Sequence, residues 1–173
     1  TLVEGTSITK AKITAPKKCS FTGELLTPDI DVKMGKEALI KGVDYEVTYS
    51  NNRDAGTATA IITGKGNYYG AKKVTFKILP IATLNKAKFA FDKTSVTYTG
   101  NAYEIGKGIH AAVTLNGTTL VEGKDYTCSY LKNTDAGTAT IVFTGKGGYT
   151  GTVRKSFKIV TAEMTGMQMQ FLD

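Results

Sequence analysis

The chain has 173 residues, 22 of them basic and 15 acidic, with a formal net charge of +7 and a single histidine. Threonine is its commonest residue at 27, glycine is frequent at 19, and proline is scarce at 3. This favours pleated strands joined by glycine turns, and no apolar run approaches the roughly 18–20 residues of a membrane helix, so no membrane insertion is expected.

Residues 1–7 read as a lead-in, and no signal-peptide pattern opens it, so Thr1 is a mature start or a cut within a longer protein. Ile8-Thr9-Lys10-Ala11-Lys12-Ile13 alternates apolar and polar residues like a half-buried strand, and it matches Leu84 to Phe89 at a shift of 76. Lys17 to Thr22 matches Thr94 to Thr99, with Phe21 opposite Tyr98, and both runs end at a turn glycine, Gly23 or Gly100. The copies then diverge. The first has residues 24–31, the second the longer 101–112, and such length variation marks a surface loop. Register recovers at Val32-Lys33-Met34 and Val113-Thr114-Leu115, and Asn116-Gly117 is a type I′ hairpin signal.

From there the copies agree closely. Residues 44–78 and 125–159 align without a gap at a shift of 81, with 19 of 35 positions identical. Such self-similarity indicates a tandem array. Tyr45, Val47 and Tyr49, like Tyr126, Cys128 and Tyr130, give one apolar face to a strand. The turn Asn51 to Gly56 leads to strands at 57–63 and 138–144, with Ala58, Ala60, Ile62 and Ala139, Ile141, Phe143 facing inward. Gly64-Lys65-Gly66 and Gly145-Lys146-Gly147 open a last hairpin, and residues 71–79 and 152–160 close each repeat with Phe76, Ile78 and Phe157, Ile159 inward. About seven short strands per repeat make the pattern of an antiparallel sandwich. The reading is therefore all-β: two tandem immunoglobulin-like antiparallel β-sandwich domains at 6–79 and 82–160, joined by a short linker at Pro80. Residues 161–173 are a tail or the start of a third repeat, whose first strand would begin at Met164 to Met169.

The Asp-Ala-Gly-Thr-Ala run resembles the immunoglobulin-fold signature D-x-G/A-x-Y-x-C, through Asp54, Gly56, Asp135 and Gly137. Its tyrosine and cysteine places hold Ala58, Ala60, Ala139 and Ile141, which removes the characteristic disulfide and tyrosine corner. A closer resemblance is to the bacterial Ig-like tandem repeats of Gram-positive cell-surface proteins. Gly42, Asp44, Tyr45, Val47, Tyr49, Asn51, Asn52, residues 54–58, residues 63–68 and Gly70 match their pattern, and Cys128 and Gly148 depart from it in the second copy. The resemblance implies an extracellular, cell-surface or wall-associated setting. It also implies a non-enzymatic spacer, stalk or adhesin segment of a larger protein. The alternative is a carbohydrate- or host-ligand-binding accessory module, attached to a wall-bound glycoside hydrolase.

Candidate chemistry is sparse. His110 lies in the divergent loop without a Ser or Cys partner, and reads as an exposed loop residue. Asp44, Glu46 and Asp54 read as turn-capping carboxylates, because calcium asks for six to eight oxygens. The Gly-Lys-Gly turn lacks the phosphate-loop spacing and a following helix. Cys19 and Cys128 align with Val96 and Val47, so each reads as a small buried hydrophobe, with no metal-ligand spacing around it. No last-strand asparagine supports an isopeptide bond. The ligand-binding candidates are Tyr68, Tyr69 and Tyr149 at the hairpin turn, with Tyr103 in the divergent loop, since flat aromatic rings stack on sugars. No cofactor, catalytic residue or metal ligand is expected. Basic residues number twelve against eight acidic in 1–80 and ten against seven in 81–173, dispersed and not gathered in the patch a nucleic-acid binder needs. The expected partners are neighbouring repeats of the same chain, with cell-wall or host glycans or proteins as further ones, and the chain is expected to be monomeric.

Overall fold

A computed structural model describes residues 5–162. The strand expected at Met164–Met169 lies outside the described residues, as does most of the tail from 161. The chain is all-β. It divides into two compact units, one running to Thr83 and including Lys146–Thr150, the other running from Leu84 to Gly145 and from Gly151 onward.

The first repeat contains β1 (Thr6–Ser7), β2 (Lys12–Thr14), β3 (Lys18–Ser20), β4 (Asp31–Met34), β5 (Glu37–Ala38), β6 (Tyr45–Ser50), β7 (Gly56–Gly64), β8 (Tyr68–Tyr69) and β9 (Ala71–Leu79). The second contains β10 (Ala82–Thr83), β11 (Lys88–Phe91), β12 (Ser95–Thr97), β13 (Glu104–Ile105), β14 (Gly108–Ile109), β15 (Ala111–Leu115), β16 (Thr118–Thr119), β17 (Tyr126–Leu131), β18 (Gly137–Gly145), β19 (Tyr149–Thr150) and β20 (Thr152–Val160).

Each repeat builds the same two sheets. A four-stranded sheet has the order β3-β9-β7-β6 in the first copy and β12-β20-β18-β17 in the second. A three-stranded sheet has the order β2-β4-β5 and β11-β15-β16. Register is kept as well. Tyr45 faces Gly64 and Tyr126 faces Gly145, while Gly56 faces Ile78 and Gly137 faces Ile159. The alternation of buried side chains, interrupted on β18 by buried Val142, holds this register, because a slip of one residue would turn the inward set away from the core.

The sheets of the first repeat meet over Val32 and Leu39 on one side and Tyr45, Ala60 and Ile62 on the other, with Ile8 and Ala11 between. Ala58, Phe76 and Ile78 form a second cluster, joined by Cys19, Phe21, Leu26 and Tyr49. In the second repeat Phe143 is fully buried, with Phe89, Tyr126 and Phe91 rings at 4.7, 5.7 and 6.3 Å. Every residue expected to face inward on β7, β9, β18 and β20 is buried.

Two local expectations change. The run Ile8–Ile13 is not one strand: Ile8–Lys10 forms a 3-10 turn, closed by the Ala11 N–H on the Ile8 carbonyl at 3.0 Å. Leu84–Lys86 repeats it. Packing explains this, since the turn sinks Ile8 and Leu84 completely. The sheets are also mixed. β3 runs parallel to β9 and β12 parallel to β20, while β1 and β10 pair parallel with β8 and β19. Alternation of side chains identifies a strand but carries no information on the direction of its neighbour.

Candidate functional site

The divergent loop is held in both repeats by the same two positions. Asn52, a buried polar residue at 8% exposure, donates its side-chain N–H to the Leu26 carbonyl at 2.9 Å, and its own carbonyl accepts the Leu26 N–H at 2.8 Å. Asn133 does the same to Tyr103, both bonds at 2.9 Å. Two residues further on, the Tyr49 hydroxyl donates to the Pro28 carbonyl at 2.6 Å, whereas the Tyr130 hydroxyl accepts the Ile105 N–H at 2.9 Å. A hydroxyl serves either polarity, so one anchor suits two loop sequences. Leu26 and Tyr103 are offset by 77 residues, as are Pro28 and Ile105, but Val32 and Val113 are offset by 81. The four additional residues therefore all fall after Ile105, where β13 and β14 pair and Gly106 and Gly108 take positive φ.

The four candidate tyrosines fall into different settings. Tyr103 takes the place that Leu26 has in the first repeat. Its hydroxyl donates to the Thr97 carbonyl at 2.5 Å and its ring stands edge-on to Phe157 at 6.4 Å. Gly108 lies directly against that ring, since a Cβ there would come within 2.7 Å of it. Tyr103 also lines a cavity of about 390 Å³ with Lys93, Ser95, Val96, Thr97 and Gly108. Its polar lining residues are Lys93, Ser95, Thr97 and Tyr103, the last with its hydroxyl already donated to the Thr97 carbonyl. Tyr68 packs against the first core, Tyr149 is half-buried in β19, and Tyr69 is 59% exposed. These three belong to the first compact unit and Tyr103 to the second.

The carboxylates act locally. Asp44 accepts the Ile40 N–H at 2.7 Å and Asp125 the Val121 N–H at 2.8 Å, capping equivalent turns. Glu46 pairs with Lys65 at 3.1 Å on the surface, where such pairs contribute little. Asp92 accepts the His110 backbone N–H at 2.7 Å, and this bond, with the imidazole 3.2 Å away, holds its carboxyl below the usual range. Among the described residues no group of three or more His, Cys, Asp or Glu side chains could hold a metal ion. Cys19 and Cys128 are free and half-buried, and burial pushes the Cys128 thiol up to about 12, which makes it a poor nucleophile at neutral pH.

From sequence alone Asn52 is a turn residue, and its role as a clamp appears only in the structure. The available signal was its recurrence: in residues 50–53 against 131–134 only Asn52 and Asn133 are identical. No family model, no curated protein and no solved structure matches the chain.

Proposed function

We propose that the chain is a non-enzymatic, load-bearing spacer segment of an extracellular, cell-surface protein, built from bacterial Ig-like repeats. The observation that carries this reading is the pairing of an early strand with the last strand of each repeat. Lys18–Ser20 lies parallel to Lys77–Leu79, and Ser95–Thr97 parallel to Lys158–Val160. Tension that draws the two ends of such a repeat apart loads this ladder along its length. Its hydrogen bonds then share the load and must break together, which is how a short ladder resists force. The internal repeat and the turn-capping role of the carboxylates support the same reading. Single-molecule pulling tests it. Forced unfolding is governed by the unfolding barrier, so the chain should give distinct force peaks, each releasing on the order of 250 Å for roughly 75 residues. Smooth extension without peaks would overturn the reading.

A second reading, glycan binding, draws on the cavity beside Tyr103, with its polar lining residues Lys93, Ser95 and Thr97. A broad glycan array decides it: a hit that Lys93→Ala abolishes supports a binding module, and no hit removes it.

A further inference from the structure

The turns that follow β6 and β17 are copies, and each opens on a cleft. One is about 420 Å³, lined by Leu25 and residues 51–57; the other is about 380 Å³, lined by Lys132 and residues 135–138. In the first, the Ala55 N–H donates to the Gly147 carbonyl at 2.8 Å, a contact inside the first compact unit, and both residues are half-buried. Each partner has a counterpart 81 positions away: Ala136 for Ala55 and Gly66 for Gly147. Ala136 and Gly66 are exposed, and among the described residues the Ala136 N–H and the Gly66 carbonyl have no hydrogen-bond partner. One molecule thus carries a joined donor and acceptor together with an unjoined copy of each.

We propose that the cleft at Lys132–Thr138 receives the Gly64–Asn67 hairpin of a second copy of this chain, the Ala136 N–H donating to the Gly66 carbonyl. The occupant is defined by the joined pair, because the same hairpin sequence, Gly-Lys-Gly, already sits in the same turn sequence, Asp-Ala-Gly-Thr. Hairpin and cleft are different surfaces, so each pairing leaves one of each unused and growth is head-to-tail. The contact is small and its association weak. One position sets its strength. Gly148 is buried, and a Cβ there would come within 2.6 Å of Ile81 and 2.7 Å of Phe21. Asn67 is its counterpart and brings a side chain to the place where Tyr98, the counterpart of Phe21, would meet it.

The test is sedimentation velocity of the full chain up to about 1 mM, the range in which weak contacts register. The mean sedimentation coefficient should rise with concentration, and Asn67→Gly should tighten association by roughly tenfold, the change expected from relieving one close contact. Ala136→Pro, which removes the donor without touching an internal hydrogen bond, should stay monomeric. A dilution series followed by amide NMR on the unaltered chain maps the contact without relying on any variant. Movement of the Ala136, Gly66 and Asn67 resonances supports the proposal. A chain and an Asn67→Gly variant that both remain monomeric at the highest concentration overturn it, as do concentration-dependent shifts confined to other residues.

Discussion

At the scale of single residues, stability rests on a few polar groups that bury themselves by serving the backbone. Asn52 satisfies the Leu26 carbonyl in a place with little access to water. Asn52→Ala leaves that carbonyl unpaired, at a cost of about 1–3 kcal/mol. Urea unfolding should report the loss, and limited proteolysis should show residues 24–31 opening first. The tyrosines and Cys128 set the alkaline limit. Burial pushes the Tyr126 and Tyr130 hydroxyls up to about 12 from an ordinary 10.0, and the Cys128 thiol up to about 12 from 9.0. Between those values the folded chain keeps protons that the unfolded chain has released. Stability is therefore intact below about pH 9 and declines as pH rises towards about 12. Melts across that range, with tyrosinate absorbance as a second readout, should show tyrosine ionisation coinciding with unfolding. A melting temperature that stays flat to pH 12 would contradict this.

At the scale of elements, what was legible and what was not divides cleanly. Alternation on β7, β9, β18 and β20 named the inward side chains correctly, because period two is a direct image of the pleat, but it missed Val142, which is buried on the other face of β18. The 3-10 turns at Ile8–Lys10 and Leu84–Lys86 were hidden, since Ile-x-x-Ala and Leu-x-x-Ala fit a short strand equally well. The parallel edges were hidden too, because pairing direction depends on the path between strands and not on their side chains. The anchoring of the divergent loop was hidden for another reason: Asn and Tyr have ordinary uses in turns and strands, and only their reach across 21–30 residues reveals the role. The element that should tolerate least is β18. Phe143 touches three aromatic rings from β11 and β17, so Phe143→Ala should cost about 3–5 kcal/mol. Against a typical total of about 5–15 kcal/mol, thermal melting should show the second unit lost well before the first.

At the scale of the whole molecule, charge is the property most open to misreading. A net charge of +7 invites a polyanion partner, yet the basic residues are spread along both repeats. Several are already engaged: Lys72 donates to the Thr9 and Ala11 carbonyls at 3.0 and 2.7 Å, Lys65 to Gly42 at 2.8 Å, and Lys155 lies 5.2 Å over the Phe89 ring. Dispersed charge binds polyanions only through long-range attraction, which salt screens over about 8 Å at physiological strength. Retention on immobilised heparin should therefore vanish by about 0.15 M salt, where a true phosphate-tracking surface would still hold. Elution only above about 0.5 M would point to a focused basic patch after all.

The two-point anchoring of the divergent loop carries a consequence for how such a chain diversifies. Asn and Tyr fix the start of the loop, and buried Ile30 or Ile109, just before the strand at Val32 or Val113, fixes its end, so only the exposed residues between these points, Asp29 and residues 106–107, are released from the demands of the core. Chain closure grows costlier only slowly with length, by about 0.6 kcal/mol per doubling. Foreign peptide spliced between Pro28 and Ile30 would be displayed on a frame that does not need to know its sequence. The same freedom lets this segment differ in length and sequence between the copies while each keeps its fold.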